Sequence, residues 1–405
     1  MLVTPGLQGQ RVAVTGIGIA GPAGVGREPF WAGLHTPARE GFDRRVEGFD
    51  ASHLYGEKEI RRVDRFSQLA MHAAVEAIEQ AGELKADPDR IGTMVGTGVG
   101  GLITLEDQII NGHMKGLKRV SPFLVPSMMN NAGAAGISMR FGFRGPCETV
   151  VTACAAGTHS VINGARLVAS GRCDVVIAGS SEAPLSSTGV AAFTNMTAVT
   201  KSGWSRPFDA RRDGFVIAEG AGILVLEAWD HAVARGATIL AEVLGGASTA
   251  DAHHITAPAP GGSGALTCMQ QALEDAGIPA DAVGHVNAHG TSTSLNDAAE
   301  AEALGKLFGS SGPPVTSTKG VTGHALGAAG SMEAVIGVLC LLKRSIPPTV
   351  GTDALDPDLA PLDLVLGEAR AWEPAPLLSN SFGFGGHNGT LVLGPALLPA
   401  ERGDR

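Results

Sequence analysis

Cys154 stands in VVTACAAGTHSV, where a strand-like stretch gives way to a helical one. A thiol at such a junction feels the partial positive charge of a helix N-terminus, which favours the nucleophilic thiolate. Ala153, Ala155, Ala156 and Gly157 leave room beside it for a substrate and for backbone N–H groups. A free cysteine is also commonly just a small buried residue, the reading given to Cys147, Cys173, Cys268 and Cys340. For Cys154 alone both readings stand. Two histidines favour the first. His289 ends HVNAHG and precedes Thr291, Ser292 and Thr293, while His324 lies in KGVTGHALGAAG, where an apolar helix begins. Near a helix N-terminus an imidazolium is disfavoured, so a neutral ring able to donate one hydrogen bond is expected.

Lys319 and Glu333 flank His324. Glu333 falls inside the otherwise apolar SMEAVIGVLCLL, where a carboxylate is costly unless paired, and Lys319 is its obvious partner. The pair is either purely structural or a brace for the His324 loop. Phe382 and Phe384 sit in NSFGFGGHN, a glycine-rich loop whose backbone N–H groups are free to build an oxyanion hole and whose aromatics suit a lid.

The elements that must position these residues alternate along the chain. RVAVTG, IGTMVGTG, ETVVTA and DVVIAGS read as strands, with helices over 65–81 and about 154–169. Strand, helix, strand at this spacing is a βαβ unit. The second half replays the pattern with HVNAHG, PPVTSTKG, an apolar helix over 325–342 and TLVLG. FVIAEGAGILVLE (215–227) and FGFGGHNGTLVLG (382–394) match at equal offsets, which reads as a duplicated α/β unit. The division falls near Gly245–Gly246: residues 1–245 carry the cysteine and 246–405 both histidines. No low-complexity linker separates the halves, so they are expected to share one interface, with the strand ends around one crevice.

Composition removes other classes. The 405 residues are 44% hydrophobic and 17% charged, too apolar for disorder, and 57 glycines without a G-X-Y period exclude collagen. A net charge of −10 argues against nucleic acid. No apolar run reaches the ~20 residues of a membrane span, and the first residues lack a basic start before an apolar core. Five scattered cysteines suit neither a disulfide framework nor a zinc cluster. A cytoplasmic protein off the membrane is expected. Gly16-Ile-Gly-Ile-Ala-Gly21 imitates a dinucleotide fingerprint, but Pro22, Gly24 and Gly26 interrupt the required helix. His285 and His289 lack a further zinc ligand nearby, so no metal is expected. The basic clusters Lys58, Arg61, Arg62, Arg65 and Lys115, Lys118, Arg119 are ordinary solvated faces, or docking points for a partner more acidic still.

Taken together, TACAAG, NAHGTST, KGVTGHALGAAG and NSFGFGGHN resemble the β-ketoacyl-acyl-carrier-protein synthases of the elongating, Cys-His-His class. The resemblance runs from VAVTGIG to TLVLG. It implies a thiolase-like α/β fold, two βαβαβαββ halves in five α-β-α-β-α layers, normally dimeric. It implies a decarboxylative Claisen condensation, in which malonyl-carrier protein extends an acyl chain held as a thioester on Cys154. The resemblance gives His289 and His324 the enolate oxygen. It gives the Cys154 and Phe384 N–H groups the condensation oxyanion, with Phe384 as gate. Lys319 joins the catalytic set, with Phe382 beside the gate and Glu333 in support. Thr291 and Thr293 fall on the pantetheine arm, Leu105 on the acyl pocket, and Lys58, Arg61, Arg62, Lys118 and Arg119 on the carrier-protein patch. No cofactor is implied beyond the carrier's own phosphopantetheine.

His387 replaces a threonine common among relatives, and the segments around 50–58 and 201–209 look shortened. Fatty-acid elongation by a homodimer is the leading expectation. The ketosynthase subunit of a type II polyketide pathway, paired with a chain-length-factor partner, is the alternative. A non-catalytic pairing subunit would typically lack the cysteine. A thiolase acting on CoA esters would typically carry a second cysteine where NSFGFGGHN has none.

Overall fold

β1 (Val12–Gly21) runs unbroken through the glycine pattern that imitates a nucleotide turn. The computed structural model describes Leu7 and residues 9–397. The glycines of β1 serve packing: a Cβ at Gly16 or Gly18 would lie 2.0 Å from the carbonyl oxygen of Ala77 or Ala73. Those carbonyls belong to α1 (Arg65–Ala81), which the amphipathic spacing predicts residue for residue. Asp64 caps it by accepting from the Phe66 N–H at 3.0 Å, and Phe66, Leu69, Ala70, Ala73 and Ala77 form its buried stripe.

β2 (Ile91–Gly96), α2 (Leu102–Lys115), β3 (Cys147–Glu148), α3 (Ala156–Ala169), β4 (Val175–Glu182) and β5 (Gly220–Ala228) complete the first half. The second comprises β6 (Ala241–Ala250), α4 (Ser263–Ala276), β7 (His285–Asn287), α5 (Ser294–Phe308), β8 (Val315–Thr316), α6 (Ala329–Lys343), β9 (Leu377–Gly383) and β10 (His387–Gly394). Hydrogen-bonded strands run β8-β7-β9-β10-β6-β1-β5-β4-β2-β3. The two sheets meet where Val12–Val14 of β1 pair with Ala241–Val243 of β6.

α1 covers the outer face of the first sheet and α4 that of the second, while α3 and α6 lie between the sheets. This is the expected five-layered, duplicated thiolase-like architecture. Between the layers, Thr158 of α3 shares a hydrogen bond with Ser381 of β9 (2.8 Å), and Ser331 of α6 with Ser180 of β4 (2.6 Å). Leu326–Lys343, the one stretch among the described residues apolar and long enough to cross a membrane, is 89% buried as this central helix.

Gly245 and Gly246 lie inside β6, where Glu242–Ala250 pair with β10 around a bulge at Leu244. The structure corrects two sequence expectations. The strand over ETVVTA ends at Glu148, and a 3₁₀ turn, Ala153–Ala155, separates Cys154 from α3. NSFGFGGHN is a tight hairpin rather than a loose loop: Phe382 is in β9, and only Phe384–Gly386 lie between β9 and β10. The Gly385 and Gly386 φ values of 82° and 73° make that turn possible.

Candidate active site

Ala153 has φ 48°, a region that non-glycine residues seldom enter, and so starts the turn that presents Cys154. Cys154 is 6% exposed and lines a cavity of about 370 Å³. The thiol does not behave as a helix terminus alone predicts. Burial pushes it up to about 12, outweighing the Lys319 charge and the Phe384 N–H that draw it down. Burial thus favours the neutral thiol over the thiolate.

His289 follows the carboxyl end of β7. Its N–H and that of Gly290 both donate to Glu300 of α5 at 2.8 Å, while its carbonyl accepts from Lys319 Nζ at 2.5 Å. Lys319 Nζ also donates to Glu333 Oε1. The Lys319–Glu333 pair thus exists: Lys319 Nζ also holds the His289 carbonyl, and Lys319 itself opens the segment that leads to His324, its carbonyl accepting from the Gly323 N–H at 3.0 Å.

His324 is fixed through its backbone: its N–H donates to the Val216 carbonyl at 2.7 Å, and its carbonyl accepts from the Ala218 N–H at 2.9 Å. Phe215 packs edge-on against its ring at 5.2 Å. These contacts set Nε2 3.1 Å from the Cys154 sulfur and the ring 5.3 Å from that of His289. Phe382 packs edge-on against His289, at 5.8 Å. Burial first, then the Lys319 charge, holds both imidazoles well below their ordinary pKa. Both are neutral rings, as expected of His324. Burial also raises Glu333 to about 7, with Lys319 opposing it.

Thr291, Thr293, Phe382 and Phe384 line the same cavity, and the two threonine hydroxyls lie 2.9 Å apart. Leu105 does not line it. That residue is half-buried on α2, whose neighbouring Ile109, Ile110 and Met114 face outward. Lys58, Arg61, Arg62, Lys118 and Arg119 are all exposed. Arg62 stacks over Phe123 at 4.1 Å and its carbonyl accepts from the Ser127 hydroxyl at 2.6 Å, so the first basic segment packs against the stretch that follows the second. His387 opens β10 beside the hairpin turn. Among the described residues no group of three or more His, Cys, Asp or Glu side chains is arranged to hold a metal.

Sequence reasoning missed the buried acids Glu182, Asp297 and Glu300. Asp297 and Glu300 carry a signal: three apart on one helix, directly after HGTST, they share the face that the helix buries. For Glu182, at the end of an apolar strand, only its polarity stands out.

Residues 32–232 match the Beta-ketoacyl synthase N-terminal domain family and residues 240–353 the Beta-ketoacyl synthase C-terminal domain family. The chain is similar to "3-oxoacyl-[acyl-carrier-protein] synthase 2" of Synechocystis sp., 41% identical over 412 residues, covering 95% of this chain and 98% of that protein. The protein of the same name from Vibrio cholerae is 40% identical over 413 residues, with the same shares. Among solved structures, the ishigamide ketosynthase/chain length factor superimposes with a TM-score of 0.90 at 32% identity, covering 96% of this chain and 100% of that one. A beta-ketoacyl synthase from Burkholderia phymatum gives 0.88 at 33%, with the same coverage. The chain belongs to the β-ketoacyl synthase family, in its elongating class within the thiolase-like superfamily.

Proposed function

We propose that the protein is a 3-oxoacyl-[acyl-carrier-protein] synthase that extends a Cys154-bound acyl chain by two carbons with malonyl-carrier protein. The observation that carries this reading is the 3.1 Å approach of His324 Nε2 to the Cys154 sulfur, with a second neutral imidazole beside it on one cavity. In the first half-reaction the Cys154 sulfur attacks the carrier thioester. Its proton leaves with the departing pantetheine thiol, and a thioester remains. The Phe384 N–H, directed at the sulfur, favours the charged form as it develops. Acylation removes the S–H. In the second half-reaction malonyl thioester loses CO₂, and ring N–H groups of His289 and His324 hold the enolate oxygen. Neutral rings suit this role, because they donate without trapping the enolate by full protonation. The carbanion then attacks the Cys154 thioester, whose oxyanion takes the Cys154 and Phe384 N–H groups before the cysteine is expelled.

Thr291 and Thr293 are assigned to the pantetheine arm, and Lys58, Arg61, Arg62, Lys118 and Arg119 to docking of the acidic carrier protein. The outward face formed by Ile110, Met114, Leu117, Val125 and Met139, between 53% and 83% exposed, is assigned to a second copy of the chain. Five free cysteines suit the reducing cytoplasm. A second reading, the ketosynthase of a type II polyketide system beside a chain-length factor, has support in the ketosynthase/chain length factor structures that this fold resembles. The higher identity to the fatty-acid-type synthases favours the first.

Intact-mass measurement after exposure to acyl-carrier protein, then product analysis after adding malonyl-carrier protein, tests the proposal. An acyl adduct on Cys154 and a 3-ketoacyl product two carbons longer are expected. Turnover only with a polyketide carrier favours the second reading, and no adduct with either defeats both.

A further inference from the structure

The duplication places a second, filled copy of the oxyanion nest behind the first. Ala153-Cys-Ala-Ala-Gly157 and Leu326-Gly-Ala-Ala-Gly330 occupy equivalent positions. Ala153 and Leu326 have φ of 48° and 45°, and each begins a three-residue 3₁₀ turn that leads into a central helix. Gly327 is thus the counterpart of Cys154. The crossed hydroxyl pairs extend the match: Thr158 with Ser381, and Ser331 with Ser180, make Ser381 and Ser180 equivalent. Strand register agrees, with Ser381 opposite Gly389 and Ser180 opposite Gly222. Two residues on, Gly383 and Glu182 are therefore counterparts.

That exchange changes the chemistry. At Gly383 there is no side chain, and a Cβ would come within 3.0 Å of the Cys154 nitrogen, so that N–H stays open. At Glu182 a carboxylate occupies the equivalent place. One oxygen accepts from Thr97 Oγ1 (3.0 Å) and the Val99 N–H (3.2 Å). The other accepts from the N–H groups of Gly98 (2.5 Å) and Gly327 (3.1 Å). Glu182 is fully buried and makes no salt bridge to any described residue. The two glycines are required, since a Cβ on either would approach Glu182 Oε2 to 2.5 or 2.6 Å.

We propose that Glu182 is a positioning residue for His324: its carboxyl group, seated in the second nest, anchors the Leu326–Ala328 turn and thereby fixes the imidazole against Cys154. Gly327 lies three residues beyond His324, and Thr97–Val99 extend from β2, so one side chain ties the first sheet to the loop that carries the ring. This rests on the reading of Cys154 and His324 given above. Glutamine in its place keeps the shape but turns an NH₂ toward one pair of donors, which frees one side of the anchor.

The test separates the half-reactions in the full-length protein. Glu182→Gln is expected to acylate Cys154 within about threefold of wild type by intact mass, while malonyl-carrier decarboxylation falls about 10- to 100-fold, the scale of a 1 Å misplacement. KM for malonyl-carrier protein is expected to stay unchanged. If Glu182→Gln does not fold, Gly98→Ala displaces the carboxylate without removing it, and the same split is expected. Equal losses in both half-reactions would mean a merely structural role, and wild-type decarboxylation in a folded variant would refute the anchor. Inactivity of the wild-type protein in both half-reactions would instead overturn the underlying functional reading.

Discussion

His324 Nε2 lies 3.1 Å from Cys154 Sγ across 170 residues of sequence; Cys154 sits in the turn before one central helix, and His324 just ahead of the Leu326–Ala328 turn before the other. The contact joins the two halves at the point where the chemistry is assigned. His324→Ala is expected to retain acyl transfer to Cys154 but lose CO₂ release by about 10²- to 10³-fold, as when an oxyanion donor is removed. Intact mass and radiolabelled CO₂ measure the two steps. A variant that decarboxylates at the normal rate would contradict the role assigned, and Cys154→Ala must abolish the adduct.

Lys319 and Glu333 are 1% and 4% exposed at their side chains, so removing one partner leaves the other buried and unpaired. Glu333→Gln is expected to destabilise the protein by about 3–5 kcal/mol in denaturant melts and to lower condensation through the His289 carbonyl. The double variant Lys319→Met/Glu333→Met is expected to recover stability, since no buried charge remains, but not activity. Recovery of both would reduce the pair to packing.

His285 packs edge-on to Trp372 at 5.7 Å, and burial lowers it to about 3. The unfolded chain takes up a proton near pH 6.5 that the native imidazole refuses. Its share of stability is therefore intact above about pH 6.5 and falls by about 1.4 kcal/mol per unit below it, until the native pKa. Glu182, Glu300 and Glu333, each raised to about 7, act with the opposite sign, so the His285 share must be isolated as a difference. The stability advantage of His285→Phe over wild type is expected to grow between pH 6.5 and 5 in chemical denaturation. A constant difference would refute this.

Arg62 and Arg119 are exposed, and Arg62 stacks over Phe123 in the stretch that follows Arg119. Reversing both to Glu is expected to raise KM for acyl-carrier protein about tenfold at low salt, with kcat preserved and the difference shrinking as ionic strength rises. Stopped-flow association at two salt concentrations checks it. An unchanged KM would remove the patch from carrier docking.

Ile110 and Met114 are 53% and 73% exposed on α2. Ile110→Asp/Met114→Asp is expected to convert a dimer to a monomer in sedimentation velocity without loss of helical signal. A wild-type monomer would refute the assignment of this face.

The helix over 65–81 was legible to the residue because its apolar spacing and its Asp64 cap are local signals. Cys154, His289, His324, Lys319 and Glu333 were legible because each is chemically out of place among small or apolar neighbours. The hairpin at Phe384 was not, since glycines mark a turn without stating whether the flanking residues pair. Nor was the pairing at Gly245–Gly246, which look like punctuation yet lie opposite Val392 and Leu391 of β10. Leu105 illustrates the converse, a position assigned by likeness that does not line the cavity of the single chain.

Residue type and order, by themselves, determined which groups can attack, donate and pair, because those capacities belong to the side chains. Only the packed halves decided their state. Burial favours the neutral thiol and the neutral imidazoles, and a carboxylate at the end of β4 was brought onto a turn 145 residues away. Desolvation and long-range hydrogen bonding depend on what encloses a group, and no local stretch of sequence encodes that enclosure.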